Sequence, residues 1–166
     1  MKQRLNFYEK GGKAMKALYS LGGYQGKSVI EQQLVNLICF RVSQINGCAY
    51  CLDMHSKDLR AEGETEQRLY MVAAWQETPF FSERERAALA WAEAVTTLGH
   101  DRVSDDVYAQ AVKQFSDEEL IDLTMATITI NCYNRINVAF RVEGGSYQVG
   151  EHRKQKTAEV LSPESR

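Results

Sequence analysis

Nothing in this chain approaches 18 consecutive apolar residues, so no segment reads as a bilayer-spanning helix. Met1 to Asn6 contain no apolar core of the kind a signal peptide needs, and the expected compartment is the cytoplasm. Excess charge is lacking as well. A formal charge of −2 and a sequence pI near 6.0 give no reason to expect nucleic acid or an anionic membrane as a partner. Proline is scarce: Pro79 reads as loop, and Pro163 falls among the last residues. No run alternates as a half-buried strand would, and no period of about 20 to 50 residues marks a repeat protein. What is present is ordinary for one globular domain: 166 residues, 44% hydrophobic and 25% charged.

Helical period and helical punctuation fill most of the length, and the fold class is all-α. A first helix is expected over Tyr8–Leu21, closed by Gly22-Gly23. Ser28 to Glu31 has the spacing of a capping box, which opens a helix toward Ile45 with Leu34, Leu37 and Ile38 on its apolar stripe. Asn46-Gly47 is a break, and the next helix runs to about Glu62. Thr65 opens a short helix through about Trp75. Ser82 and Ser116, each followed three residues later by Glu, read as further capping boxes, with Ser104 capping a helix between them. The helix after Ser116 is long and apolar, reaching about Val142 before Gly144-Gly145. Residues 1–143 thus form the helical domain. Residues 144–166 read as a polar tail with little to bury and are expected to be mobile.

The informative feature is Cys48-Ala49-Tyr50-Cys51-Leu52-Asp53-Met54-His55, inside a helical stretch. At about 100° per residue, Cys48, Cys51 and His55 share one face, with Cys51 in the middle. Four cysteines without an export signal read as thiols for use, not as a disulfide framework. A dithiol beside an imidazole can form a thiolate, be oxidised at one sulfur and close onto the other. Three other readings apply to the same spacing. Cysteines and a histidine can simply pack in a core. The motif could hold zinc given a fourth ligand, but no second Cys-x-x-Cys or His-x-x-x-His exists, and Cys39, Cys132, His100 and His152 are scattered. A thioredoxin-type site needs a strand before the dithiol, where this chain reads helical.

The longer string resembles a known group. Ser43 to Cys51, then His55, then Gly63 to Leu69, with Glu77 to Phe81 and Asn131 to Arg135, is similar to the alkylhydroperoxidase-D-like group of the carboxymuconolactone decarboxylase superfamily. The resemblance covers roughly residues 5–142. It implies a compact, oligomeric bundle of about seven helices without cofactor or metal. It also implies a thiol-dependent peroxidase in which Cys51 attacks the hydroperoxide, Cys48 resolves the sulfenic acid as a disulfide, and His55 assists as base. Relatives of this kind are reset by an external dithiol, lipoyl-bearing or thioredoxin-like, and assemble as dimers, trimers or hexamers. Two alternatives go with it: a lactone-acid decarboxylase of the same superfamily, and a non-catalytic thiol redox sensor.

One position departs from the group. Its relay ends in a glutamate twelve residues before the first cysteine, and this chain has Asn36 there, which cannot act as a base. Glu31, the nearest upstream carboxylate, faces another direction and is already assigned to the capping box. Asn131, Asn134, Arg135 and Asn137 are unusually polar for an apolar helix and fit either a place under the site or a subunit contact. Trp75, Trp91, Phe80 and Phe81 read as core or interface, Cys39 and Cys132 as small buried hydrophobes, and His100 and His152 as exposed. Asn36 predicts a thiolate less strongly activated than in members with the glutamate. A pH titration of alkylation placing Cys51 below about 6 would contradict it.

Overall fold

The computed structural model describes residues 2–100 and 102–151. The expected tail beyond residue 151, His152 included, lies outside the described residues. Eight α-helices and one 3₁₀ segment, with no strand, make up the described residues: α1 Phe7–Lys10, α2 Gly12–Gln25, α3 Gln32–Asn46, α4 Ala49–Ala61, α5 Glu66–Met71, the 3₁₀ segment Val72–Glu77, α6 Glu83–Thr97, α7 Asp105–Gln114 and α8 Asp117–Phe140.

α3 is the central element because it is apolar on nearly every side. Leu34, Val35, Leu37, Ile38, Cys39, Phe40 and Val42 are all buried. α4, α6 and α8 pack around it. Leu59 of α4, Ala88, Leu89 and Ala92 of α6, and Leu123 of α8 complete this core without solvent exposure. A smaller cluster of Phe7, Met15 and Leu18 seats α1 and α2 on the last turns of α8, against Tyr133, Ile136 and Phe140.

The capping boxes at Ser82 and Ser116 form with both reciprocal bonds, and Ser104 and Thr65 cap α7 and α5. Three local expectations are corrected. Gly22-Gly23 does not end α2, which continues to Gln25. Gly22 serves close packing instead, since a Cβ there would stand 3.0 Å from the Tyr133 hydroxyl. Glu31 is not a capping-box acid, because its carboxylate is taken by Arg84, 3.0 Å from each oxygen. Arg84 also holds Glu119 at 2.6 Å and stacks on Phe115, joining the starts of α3, α6 and α8. The helix expected from Thr65 to Trp75 breaks after Met71 into the 3₁₀ segment, kinked at Ala74.

The segment after α8 also departs from expectation over its described part. Tyr147 is buried, and its hydroxyl donates to both oxygens of Asp58 at 3.0 and 3.1 Å. Asp53 accepts the backbone N–H groups of Gly145 and Tyr147, and Lys57 donates to the Tyr147 carbonyl at 2.9 Å. These contacts strap residues 144–147 along α4 between Asp53 and Asp58. The segment lies so close that a Cβ on Gly144 would stand 2.6 Å from the Ala49 carbonyl oxygen. Gly144→Ala is therefore expected to destabilise the protein by about 1–3 kcal/mol in urea unfolding, the usual range for overpacking. An unchanged midpoint and slope would show that the strap does not contribute.

Candidate functional site

Gly47 ends α3 in the left-handed conformation, at φ 64°, and the Cys48 N–H returns to the Ser43 carbonyl at 3.1 Å. This reversal places Cys48 at the N-cap of α4, a position normally filled by an oxygen-bearing side chain. Its sulfur accepts the Cys51 N–H at 3.4 Å. Cys51, one turn on, brings its own sulfur to 2.6 Å from that of Cys48. A disulfide would measure about 2.05 Å, and both cysteines are free thiols. Both are 1% exposed, and His55, one turn beyond Cys51, is 7% exposed.

The two thiols are electrostatically unequal. The Cys51 thiol donating to Cys48, helped by the Cys51 N–H and the amides of Asn137 and Asn134, pulls Cys48 down to about 7 against its burial. The same bond, burial and the charge on Cys48 push Cys51 far up. The helix N-terminus acts in the same direction, since its partial positive charge meets Cys48 first. When the pair loses its first proton near neutral pH, the donors around Cys48 favour the negative charge there.

Beneath the dithiol lies a buried layer of amides on one face of α8. Asn137 Nδ2 donates to the Cys51 sulfur at 3.3 Å. Asn134 Nδ2 donates to Ser43 Oγ at 3.1 Å, and Asn46 Nδ2 reaches both Asn131 and Asn134 at 2.9 Å. Asn131 Nδ2 donates to Thr96 and to the Thr127 carbonyl. The asparagines of α8 thus lie under the site, which decides between the two places the sequence left open. Arg135 is exposed and donates to Asn131.

Asn36, the departure from the relay pattern, is buried and donates to both carboxylate oxygens of Glu62 at 3.1 and 2.9 Å. Glu62 follows His55 by seven residues, so it falls within about 20° of it around the axis of α4, about two turns on. A carboxylate is thus present on this face from a position downstream of the motif. The repeat of seven through Cys48, His55 and Glu62 was the signal that could have found it.

The other singled-out residues lie elsewhere. Trp75, Trp91, Phe81 and Cys39 are buried, Phe80 and His100 are exposed, and Cys132 is half-buried rather than buried. Among the described residues no group of three or more His, Cys, Asp or Glu is placed to hold a metal ion, and no helix is long and apolar enough to cross a membrane.

A sequence model described as "Carboxymuconolactone decarboxylase family" matches residues 12–94. The chain belongs to that family. Within it, the protein is alkylhydroperoxidase-D-like. A protein of unknown function from Agrobacterium tumefaciens, described as a candidate antioxidant defence protein AhpD, superposes with a TM-score of 0.84 at 39% identity, over 88% of this chain and all of that one. The uncharacterized protein YdfG of Bacillus subtilis (strain 168) is 41% identical over 139 residues, 84% of this chain and 95% of its own length. The debrominase Bmp8 shares the fold, with a TM-score of 0.73 at 23% identity, covering 83% of this chain and 74% of that one.

In this family member the bond from Cys51 is the largest influence lowering Cys48. Cys51→Ala is therefore expected to move the alkylation profile of Cys48 from about 7 upward toward that of an ordinary thiol, so that reactivity near neutral pH falls. A profile that stays near 7 would show that the helix terminus alone sets the value.

Proposed function

We propose that the protein is a cytoplasmic, homo-oligomeric thiol peroxidase that reduces hydroperoxides through a Cys48–Cys51 dithiol–disulfide cycle. The observation that carries this reading is the 2.6 Å approach of two buried sulfurs at a helix N-terminus, where the donors around Cys48 pull its thiol down to about 7.

The steps follow from the proton count. His55 takes the first proton from the dithiol, leaving one proton and one negative charge on the pair. Cys51 attacks the distal oxygen of the hydroperoxide as its proton passes to Cys48. The S–O bond forms and the O–O bond breaks. The departing alkoxide takes the proton from Cys48 and leaves as alcohol. Cys51 is then a sulfenic acid and Cys48 a thiolate. Cys48 attacks the Cys51 sulfur and closes the disulfide, and the expelled hydroxide recovers the proton from His55 as water. An external dithiol of the lipoyl or thioredoxin kind reduces the disulfide and restores the resting pair.

The family name and the debrominase relative both warn that this fold hosts more than one chemistry, so the reading rests on the dithiol and not on the fold. The test is mass spectrometry of reduced protein treated with a small excess of an organic hydroperoxide, with Cys48→Ser in parallel. The expected result is loss of two hydrogens mapped to a Cys48–Cys51 disulfide, formed faster than a free thiol reacts, and a sulfenic acid trapped on Cys51 in the variant. A dithiol that reacts no faster than a free thiol overturns the assignment.

A further inference from the structure

We propose that Asn137 is a catalytic amide that binds the hydroperoxide through its O–O–H group and aims the distal oxygen at Cys51. This deepens the peroxidase reading and rests on it. Asn137 lies in the last turns of α8, 3% exposed, with Nδ2 on the Cys51 sulfur at 3.3 Å. Its other polar atom, Oδ1, is fully buried and receives no hydrogen bond from any described residue. A buried carbonyl without a donor is costly, and native structures hold few of them.

The surrounding layer shows that polar groups here are otherwise well matched. Asn131 and Asn134, on the same face of α8, accept from Asn46 and donate to Thr96 and Ser43. Asn137 stands apart from them in keeping its acceptor free while its donor is on the Cys51 sulfur.

The two ends of an amide are held on one carbon, so an oxygen atom bonded to Oδ1 through its hydrogen also lies beside the sulfur that Nδ2 holds. In a hydroperoxide the oxygen that carries the hydrogen is the one attacked. Its proton stays with it throughout. The sulfur's electron pair forms the S–O bond, the O–O pair leaves with the alkoxide, and the alkoxide takes the proton of the thiol pair. The product hydroxyl on Cys51 keeps the same hydrogen bond to Oδ1. An alkyl halide or a thiosulfonate offers no such hydrogen.

The test uses the full reduced chain with Asn137→Ala and, to avoid a cavity, Asn137→Leu. Second-order rate constants are measured, in a Cys48→Ser background with and without the change at Asn137 so that both reagents read Cys51, for tert-butyl hydroperoxide and for methyl methanethiosulfonate, which carries no donor. Loss of the Nδ2 bond slows both reagents. The proposal expects the ratio of hydroperoxide to thiosulfonate rates to fall by a further tenfold or so in both variants, about the worth of one hydrogen bond. A ratio equal to that with Asn137 in place overturns it, because Asn137 then acts only on the sulfur. A second measurement leaves residue 137 intact: in the double variant Cys48→Ser, Cys51→Ser, which has no thiol at the site to oxidise, the Asn137 side-chain carbonyl resonance is expected to shift as tert-butyl hydroperoxide is added. No shift overturns the proposal as well. Failure of the peroxidase reading is seen separately, as an unchanged protein that reacts with the hydroperoxide no faster than a free thiol, and the inference falls with it.

Discussion

The structure of the site depends on a single reversal of the chain. Gly47 adopts a left-handed conformation that residues with a Cβ take up reluctantly, and the next residue becomes the N-cap of α4. Because that residue is cysteine, the helix directs an N–H group and its partial positive charge at a sulfur. The second sulfur arrives one turn later with a proton to share. Neither buried sulfur would ionise easily by itself, as Cys39 shows, pushed up to about 12 by burial alone. The dithiol differs from Cys39 in having donors aimed at it.

The remainder of the fold holds that reversal in place. α3 is buried around its whole circumference and fixes Ser43, the residue whose carbonyl receives the Cys48 N–H and whose hydroxyl receives Asn134. α8 brings the amide layer against the dithiol, and residues 144–147 are tied along α4 through Asp53, Lys57 and Asp58. A polar layer bonded at most of its positions is rigid in a way an apolar one is not, since each amide has a required direction as well as a required volume. Over this layer the two sulfurs stand 2.6 Å apart, hydrogen-bonded but not joined covalently.

Much of this was legible in the residues. The Ser-x-x-Glu boxes at Ser82 and Ser116, the Gly47 break and the pairing of Cys48 with Cys51 are local signals, and each appears in the structure, with Cys48 as the N-cap of α4 and not inside the helix. What the sequence concealed depends on contacts between distant segments. Ser28 and Glu31 have the same spacing as a capping box, yet Arg84, more than fifty residues away, competes for the carboxylate and takes it. Gly22 looks like a stop, but its missing side chain serves Tyr133 on another helix. Tyr147 sits in a polar stretch and is buried only because Asp58 is there to receive its hydroxyl. Asn137 drew notice as a polar residue in an apolar helix, while its contact with Cys51 could not be read from spacing.

The debrominase Bmp8 has the same architecture, so the fold by itself does not name a reaction. The chemistry of this member is therefore an argument about where one charge rests in a pair of thiols. The most direct test follows the Cβ resonances of ¹³C-labelled Cys48 and Cys51 in the reduced protein as pH is raised. The account predicts that Cys48 titrates near 7 while Cys51 stays protonated well beyond it. If Cys51 titrates first, the helix terminus does not hold the charge, and the proton bookkeeping of the proposed cycle is wrong.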